Sequence, residues 1–155
     1  MYLRLSREVY PDLYPADKQF ELGKGEIVRE GTDVTVIACG IMVHKALEAA
    51  EKLAEKGVSV RVVDMYSIKP IDKELIKKCA EETGAIVCAE EHNVHGGLGS
   101  AVSEVLAYFG CGAPTEFVGI QDTFTESGPY NELLKKYGVD ADGVIAGIER
   151  VLERK

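Results

Sequence analysis

The sequence AIVCAEEHNVHGGLGSAV at residues 85–102 determines the fold class, because it combines a buried strand, a glycine-rich turn and the start of a helix. Residues 85–89 are wholly apolar, as expected of a central strand in a parallel sheet, which is buried on both faces. Glycines at residues 96–99 break the strand, and apolar residues recur at helical spacing from Val102 onward. A strand followed by a helix is the repeating unit of α/β sheets.

The same unit recurs on both sides of that stretch. Buried strands are predicted over residues 34–39, 58–65 and 115–120, and amphipathic helices over about 43–54, 73–83, 131–137 and 140–152. Asp72 is predicted to cap its helix and Gly84 to end it. The predicted fold class is therefore α/β: a three-layer α/β/α domain with a five-stranded, mostly parallel sheet, whose edge strand at about residues 20–29 is antiparallel.

The N-terminal region does not follow this alternation of strands and helices. Residues 1–7 are predicted to be the tail of a preceding domain, with a strand-like run that has no partner in the chain. Residues 8–19 contain Pro11 and Pro15 and are interpreted as a linker. Residues 20–155 then form the α/β domain.

The composition is that of an ordinary globular protein, with 46% apolar and 28% charged residues. At 155 residues one continuous core is expected. The net charge of −8 argues against nucleic-acid and anionic-membrane partners, which attract clustered Lys and Arg. The N-terminus is charged too early for a signal peptide and no window could span a bilayer, so a cytoplasmic protein is expected.

The four cysteines, Cys39, Cys79, Cys88 and Cys111, form no CxxC pair. Three of them fall within apolar strand or helix patterns. They are expected to be reduced, with no disulfide framework and no zinc site.

Four polar residues, Glu90, Glu91, His92 and His95, follow the third parallel strand. The carboxyl ends of strands are where open α/β sheets bind ligands. Two histidines three apart could ligate a metal ion in a helical turn or a suitable loop. Hydrogen bonding at a surface or interface is the favoured interpretation, and no metal site is predicted.

The glycine-rich turn has the position of a phosphate site, because a helix N-terminus presents free N–H groups and a partial positive charge. Gly97 and Gly99 give the first part of the dinucleotide fingerprint, but Val102 stands where its third glycine would be. Tight turning and close packing are the favoured explanation of the glycines. An anion or effector site that includes these glycines and Ser100 is the alternative.

Three further residues are predicted to have structural roles only. His44 is predicted to be an exposed helix residue, and Ser127 to cap the helix that follows it. Tyr130 is expected to pack with its polar tip free to bond.

Five sets of motifs, in order along the chain, resemble the transketolase family. They are LSR at 5–7, FELGKG at 20–25, IKPID at 68–72, AEEHNVHGGLGSAV at 89–102, and FTESGP with NELLKKYG within 124–138. Together they cover nearly the whole chain. The glutamates before the glycines and the ESGP segment look closer to transketolase than to deoxyxylulose-phosphate synthases or to 2-oxo-acid dehydrogenase subunits, which remain alternatives.

The resemblance implies the C-terminal domain of an enzyme that transfers a two-carbon ketol unit between sugar phosphates, as in the pentose phosphate pathway. Such enzymes use thiamine diphosphate and a divalent metal, Mg or Ca. Their diphosphate-binding and pyrimidine-binding domains hold the cofactor and form a homodimer. Residues 1–7 would end the pyrimidine-binding domain. This chain would bind no cofactor, contain no catalytic residue, and be inactive alone.

The resemblance also assigns a substrate contact to one residue. Arg7, the arginine of LSR, would bind the phosphate group of the sugar in the intact enzyme, since a guanidinium makes paired charge-assisted hydrogen bonds to phosphate. Arg4 is a weaker candidate and is expected to make a surface or interface contact. A stand-alone regulatory module that binds an anion or effector at Glu91, His92, His95 and the glycine turn is the alternative of a different class.

Overall fold

The computed structural model describes residues 2–6 and 8–155, and Met1 and Arg7 lie outside the described residues. The domain has five strands and five helices within these residues. In chain order they are β1 (Glu26–Arg29), β2 (Val34–Ala38), α1 (Ile41–Ala54), β3 (Val60–Asp64), α2 (Lys73–Thr83), β4 (Ile86–Asn93), α3 (Leu98–Phe109), β5 (Thr115–Ile120), α4 (Tyr130–Lys136) and α5 (Ala141–Leu152).

One five-stranded sheet has the order β1-β3-β2-β4-β5. The edge strand β1 runs antiparallel to β3, with Glu26 opposite Asp64, and the other neighbouring pairs are parallel. The predicted fold class and the antiparallel edge strand are confirmed. The chain places β3 on one side of β2 and β4 on the other. The crevice at the carboxyl ends of β2 and β4 is therefore the position where such sheets ordinarily bind ligands.

Helices cover both faces of the sheet, which gives the three predicted layers. One buried cluster joins α1, α4 and α5 to the sheet, and a second joins α2 and α3 to the opposite face. All five residues of β2 and all five of β3 are buried. This double burial explains why their sequences are mostly apolar, with Thr35, Arg61 and Asp64 as the polar residues.

The helix ends follow their predicted signals in α2. The Asp72 carboxylate accepts a hydrogen bond from the Leu75 amide at 3.1 Å, and Gly84 ends the helix in the left-handed conformation. The prediction for Ser127 is wrong, because α4 begins at Tyr130 after an extended Pro129 and has no side-chain cap. The sheet also extends further than predicted, since β4 runs on through Asn93.

Within residues 2–6 and 8–155, every helix is too short or too polar to traverse a lipid bilayer.

Candidate functional site

The Glu90 carboxylate occupies the N-terminus of α3. Its Oε2 accepts a hydrogen bond from the Leu98 amide at 2.7 Å, and its Oε1 accepts one from the Gly99 amide at 2.9 Å. The side chain is buried, with 3% of the residue exposed. A buried negative charge is stabilised here by two backbone donors and by the positive end of the helix dipole. The amides that an external anion would use are thus already bonded.

The glycines of the turn are explained by this arrangement. A Cβ atom on Gly97 would lie 2.0 Å from Glu90 Oε2, and one on Gly99 would lie 2.4 Å from the Phe117 ring. Side chains at either position would displace the carboxylate or the neighbouring strand. The spacing of these two glycines therefore serves close packing, and the effector-site prediction remains a prediction.

The histidines after Glu90 belong to a hydrogen-bonded turn. The His92 ring nitrogen Nδ1 lies 2.7 Å from the Asn93 carbonyl oxygen, and the His95 amide donates to Asn93 Oδ1 at 2.8 Å. Ser100 accepts a hydrogen bond from the Gly96 amide at 2.8 Å. Among the described residues, no three His, Cys, Asp or Glu side chains converge in a way that could hold a metal ion.

Glu91 connects three separate parts of the chain. Its carboxylate Oε1 accepts a hydrogen bond from the Tyr130 hydroxyl at 2.9 Å, and its backbone carbonyl accepts one from Arg4 Nη2 at 2.6 Å. Burial, followed by neighbours that include Glu91, raises the pKa of Tyr130, so this hydroxyl stays protonated and donates. Arg4 therefore contacts the α/β domain, while Arg7 lies outside the described residues.

Residues 8–20, which we call the strap, lie across the carboxyl edge of the sheet. The ring of Tyr10 stacks on His44, with centroids 5.8 Å apart and planes inclined by 20°. His44 is therefore half-buried by this contact instead of exposed as predicted. The Tyr10 and Tyr130 hydroxyls are neighbours, but Tyr10 makes no well-formed hydrogen bond to any described residue.

The second anchor of the strap is Tyr14. Its hydroxyl donates to Asp64 Oδ2 at 3.0 Å, and its ring meets the edge of Phe20, with centroids 5.2 Å apart. Phe20 in turn contacts Tyr66 at 4.8 Å between ring centroids. Burial raises the pKa of Asp64, and the Tyr14 hydrogen bond partly offsets that rise. The segment interpreted as a linker is thus fastened to the domain at both ends.

The sequence contains a signal for the strap that composition alone does not reveal. Tyr10 and Tyr14 each precede a proline, so the pattern Tyr-Pro occurs twice within six residues. A residue before proline favours extended backbone. Two aromatic side chains four residues apart on such a segment can contact the domain at two points.

Exposed apolar side chains concentrate in the segments outside the helices and strands. Among the described residues nine large apolar side chains are exposed; Tyr108 lies in α3, and the other eight lie in the segments that precede β1 or follow the carboxyl ends of β3 and β5. We call the other eight the apolar rim: Tyr2, Leu3, Leu5, Val9, Phe20, Leu22, Ile68 and Phe124. Exposed apolar patches of this kind mark interaction surfaces.

The free cysteines provide no nucleophile at this edge. Burial raises the pKa of Cys39 to about 12, and burial also raises the pKa of Cys79 and of Cys88. A thiol must ionise to act as a nucleophile. These three thiols therefore stay protonated and serve packing.

The family described as "Transketolase, C-terminal domain" matches residues 23–144. The chain belongs to the transketolase C-terminal domain family. The resemblance predicted from the five sets of motifs is thereby confirmed.

Known proteins that match the chain include subunits of transketolases. It is 41% identical over all of its length to the 6-deoxy-6-sulfo-D-fructose transketolase subunit of Clostridium sp. (strain MSTE9) and covers 48% of that protein. It is 45% identical over 89% of its length to 1-deoxy-D-xylulose-5-phosphate synthase 1 of Geobacter sulfurreducens and covers 22% of it. The chain thus spans half or less of these relatives.

A solved structure shows the same fold. It is described as "Split gene transketolase, inactive beta4 tetramer", and this chain superposes on it with a TM-score of 0.88 and 50% identity. The match covers 92% of this chain and 46% of that one.

The carboxyl edge of this transketolase C-terminal domain does not fit thiamine diphosphate. Thiamine chemistry needs a free carboxylate at the aminopyrimidine and a metal ion that clamps the diphosphate. The three buried carboxylates of the described residues are all engaged, since Asp64 accepts from Tyr14, Asp72 caps α2, and Glu90 holds α3. These three carboxylates therefore serve the fold.

Proposed function

We propose that the chain is the C-terminal domain of a transketolase that transfers a two-carbon ketol unit between sugar phosphates. In this proposal its own task is architectural: it packs against the domains that hold thiamine diphosphate and a divalent metal, Mg or Ca. The apolar rim is the observation that carries the proposal, because eight exposed apolar side chains outside the helices and strands favour a large partner surface. Membership in the transketolase C-terminal domain family supports the rest of such an enzyme as that partner.

The chain alone is inactive under this proposal. The buried carboxylates of the described residues are committed to Tyr14 and to helix N-termini, so none of these three is free for the aminopyrimidine. The related split-gene structure is likewise described as an inactive β4 tetramer. The diphosphate-binding and pyrimidine-binding domains would supply the cofactor site and the homodimer contact, in a cytoplasmic enzyme.

Arg7 is the proposed contact with substrate. In the assembled enzyme its guanidinium would bind the phosphate of the sugar, and the rest of the chain would keep that part of the polypeptide in place. Replacing Arg7 by Ala should raise the KM for phosphorylated sugars more than the KM for unphosphorylated ones. Equal effects on both would contradict this role.

Reconstitution tests the proposal as a whole. Purified chain is mixed with a section that contains the diphosphate-binding and pyrimidine-binding domains, and ketol transfer is followed with thiamine diphosphate and Mg²⁺ present. Activity is expected in the mixture and in neither component alone. Ketol transfer by the isolated chain, or a failure of the sections to associate, would contradict the proposal.

A deoxyxylulose-phosphate synthase is the second candidate, because the Geobacter sulfurreducens synthase is 45% identical over 89% of the chain. The same reconstituted enzyme separates the two candidates by its product. Formation of deoxyxylulose phosphate without ketol transfer between sugar phosphates would favour the synthase.

A further inference from the structure

Residues 121–129, which we call the arm, connect β5 to α4. Every residue of the arm is exposed, and the arm contains neither a helix nor a strand. Phe124 lies near its centre, and the Phe124 side chain is fully exposed. A phenylalanine ring is unfavourable in water, so a ring presented in this way indicates a contact that the isolated chain does not make.

The start of the arm is fixed to β4. Asp122 has a φ of 45°, and within the ranges 2–6 and 8–155 it is the sole non-glycine residue with a left-handed φ. Its amide donates to the Ile120 carbonyl at 3.0 Å, and its Oδ1 accepts a hydrogen bond from Asn93 Nδ2 at 3.2 Å. Aspartate tolerates this backbone conformation better than most residues. The chain therefore turns at Asp122, two residues before Phe124, and two hydrogen bonds support the turn.

The far side of the arm is fixed to the C-terminal end of α4. The Tyr137 hydroxyl accepts a hydrogen bond from the Glu126 amide at 3.2 Å, and the Glu126 carboxylate pairs with Lys136 Nζ at 2.5 Å. Phe124 is thus flanked, two positions away on each side, by a residue that is bonded to the domain. A loop that is already held in one conformation loses less conformational entropy on binding than a free loop does.

The arm shares its attachment point with a second exposed apolar segment. Arg4 donates to the carbonyl of Glu91 at 2.6 Å, and Glu91 lies two residues before Asn93 in β4. Leu3 and Leu5, the neighbours of Arg4, are both exposed. The apolar side chains of the two segments are therefore carried beside the same strand end, where one partner surface can cover them.

The occupant that fits this surface is the section of the enzyme that holds the cofactor in the proposed function. The transketolase subunit of Clostridium sp. (strain MSTE9) extends beyond the matched region by about half of its length, since the chain covers 48% of it. A section of that size offers a surface large enough to enclose a phenylalanine ring together with the leucines beside it.

We propose that Phe124 is the aromatic anchor of the interface with this section, and that the arm inserts its ring into an apolar pocket there. The inference rests on the proposed function, because the section is the partner. The bonds at Asp122 and Glu126 act through the ring, since they hold the arm in its binding conformation before the section arrives. Buried aromatic anchors contribute a large share of the binding free energy of an interface.

A single labelled indole tests the position of the ring. The chain contains no tryptophan, so Phe124→Trp labelled with 5-hydroxytryptophan gives one emission that can be excited apart from the tryptophans of the section. Its quenching constant with acrylamide should fall by about threefold when the section is added, because the ring becomes enclosed. Tyr108→Trp, labelled in the same way, is the control, because Tyr108 is exposed on α3 outside the apolar rim. Its quenching constant should not change.

Binding of further variants tests whether the bonds of the arm act through the ring. Lys136→Met and Tyr137→Phe together release the far side of the arm and should raise the dissociation constant about threefold, against about tenfold for Phe124→Ala. In the triple variant the first two changes should have no further effect, because the ring through which they act is absent. The matched control is Lys73→Met with Tyr108→Phe, an exposed pair whose ammonium lies 5.1 Å from the ring centroid, and it should bind as the unmodified chain does.

The outcomes separate this inference from the proposed function. If the sections associate but quenching at position 124 is unchanged, the anchor is wrong and the proposed function stands. Additive effects in the triple variant would overturn the role of the arm. A quenching constant that falls as the concentration of the chain alone rises would identify a second copy as the occupant and overturn the inference. Loss of association in Phe124→Trp alone would support the anchor, whereas no association of the unmodified chain would overturn both proposals.

Discussion

The amino and carboxyl edges of the sheet differ in the side chains that cover them. At the amino edge charged side chains cover the strand ends: Arg61 pairs with Glu82 at 2.6 Å and with Glu30 at 3.3 Å. Lys155 donates to the carbonyl of Asp33 at 2.9 Å, and Arg154 donates to that of Thr115 at 3.1 Å. At the carboxyl edge the inner carboxylates are bonded, but the outer surface carries the apolar rim.

This contrast supports the proposed location of the partner interface at the carboxyl edge. A surface covered by paired charges is well solvated by water. Exposed leucine, tyrosine and phenylalanine side chains are stabilised only when another surface covers them. Buried bonds at the carboxyl edge support the fold, and the apolar rim beyond them is the proposed assembly surface. Variants should accordingly divide into those that lower stability and those that lower only association.

Glu90→Ala should have the strongest effect of these variants. The change leaves the Leu98 and Gly99 amides without their charged acceptor, and it should lower the free energy of unfolding by about 3 kcal/mol. For a chain of this size the Tm should fall by roughly 6–12 °C, measured by calorimetry. Glu104→Ala, an exposed change on α3, is the control and should shift the Tm by less than about 2 °C. Equal Tm values for the two variants would show that Glu90 does not hold the helix.

A weaker effect, on association alone, is expected from Phe124→Ala. Its side chain is fully exposed, so the Tm of the isolated chain should not change. The dissociation constant of the complex with the cofactor-binding section should rise about tenfold, as measured by calorimetric titration. Tyr108→Ala, which removes an exposed ring outside the rim, is the control. If both variants bind the section equally well, the rim is not the interface at this position.

The weakest effect is a pH dependence from Asp64. Burial raises the pKa of its folded form above the unfolded value of 3.8, so the native state binds the proton more tightly than the unfolded state does. The stabilising contribution of the protonated form is therefore lost as the pH rises through the raised pKa. Asp64→Asn keeps an acceptor for Tyr14 and removes this loss. Its stability relative to the unmodified chain should increase between about pH 3.5 and pH 7, as measured by urea unfolding, and a flat difference would contradict the assignment.

The sequence predicts most of the fold because strands that are buried on both faces have mostly apolar sequences. Mostly apolar runs mark β2 and β3, and glycine at position 84 and aspartate at position 72 mark the ends of α2. The extension of β4 through Asn93 is missed because residues 90–93 are polar. Their placement depends on α3 and on Tyr130, which are distant contacts that local sequence cannot show.

The candidate site is predicted in position but not in detail. The sequence places Glu90, Glu91, His92 and His95 at the carboxyl edge, where the structure also finds them. It does not predict that Glu90 fills the helix N-terminus, since that requires the turn to fold the strand's own carboxylate back onto α3. The strap is missed for a similar reason, because proline-containing segments are interpreted as linkers unless the surface that Tyr10 and Tyr14 contact is known.

Cofactor binding by the isolated chain decides whether the domain is a scaffold without a reaction centre of its own. Thiamine diphosphate with Mg²⁺ is titrated into the purified chain in a calorimeter, with the reconstituted enzyme as the positive control. Only heat of dilution is expected for the chain, and saturable binding for the assembled enzyme, because the buried carboxylates at the carboxyl edge are committed to Tyr14 and to helix N-termini. Saturable, tight binding of the cofactor to the chain alone would contradict that claim.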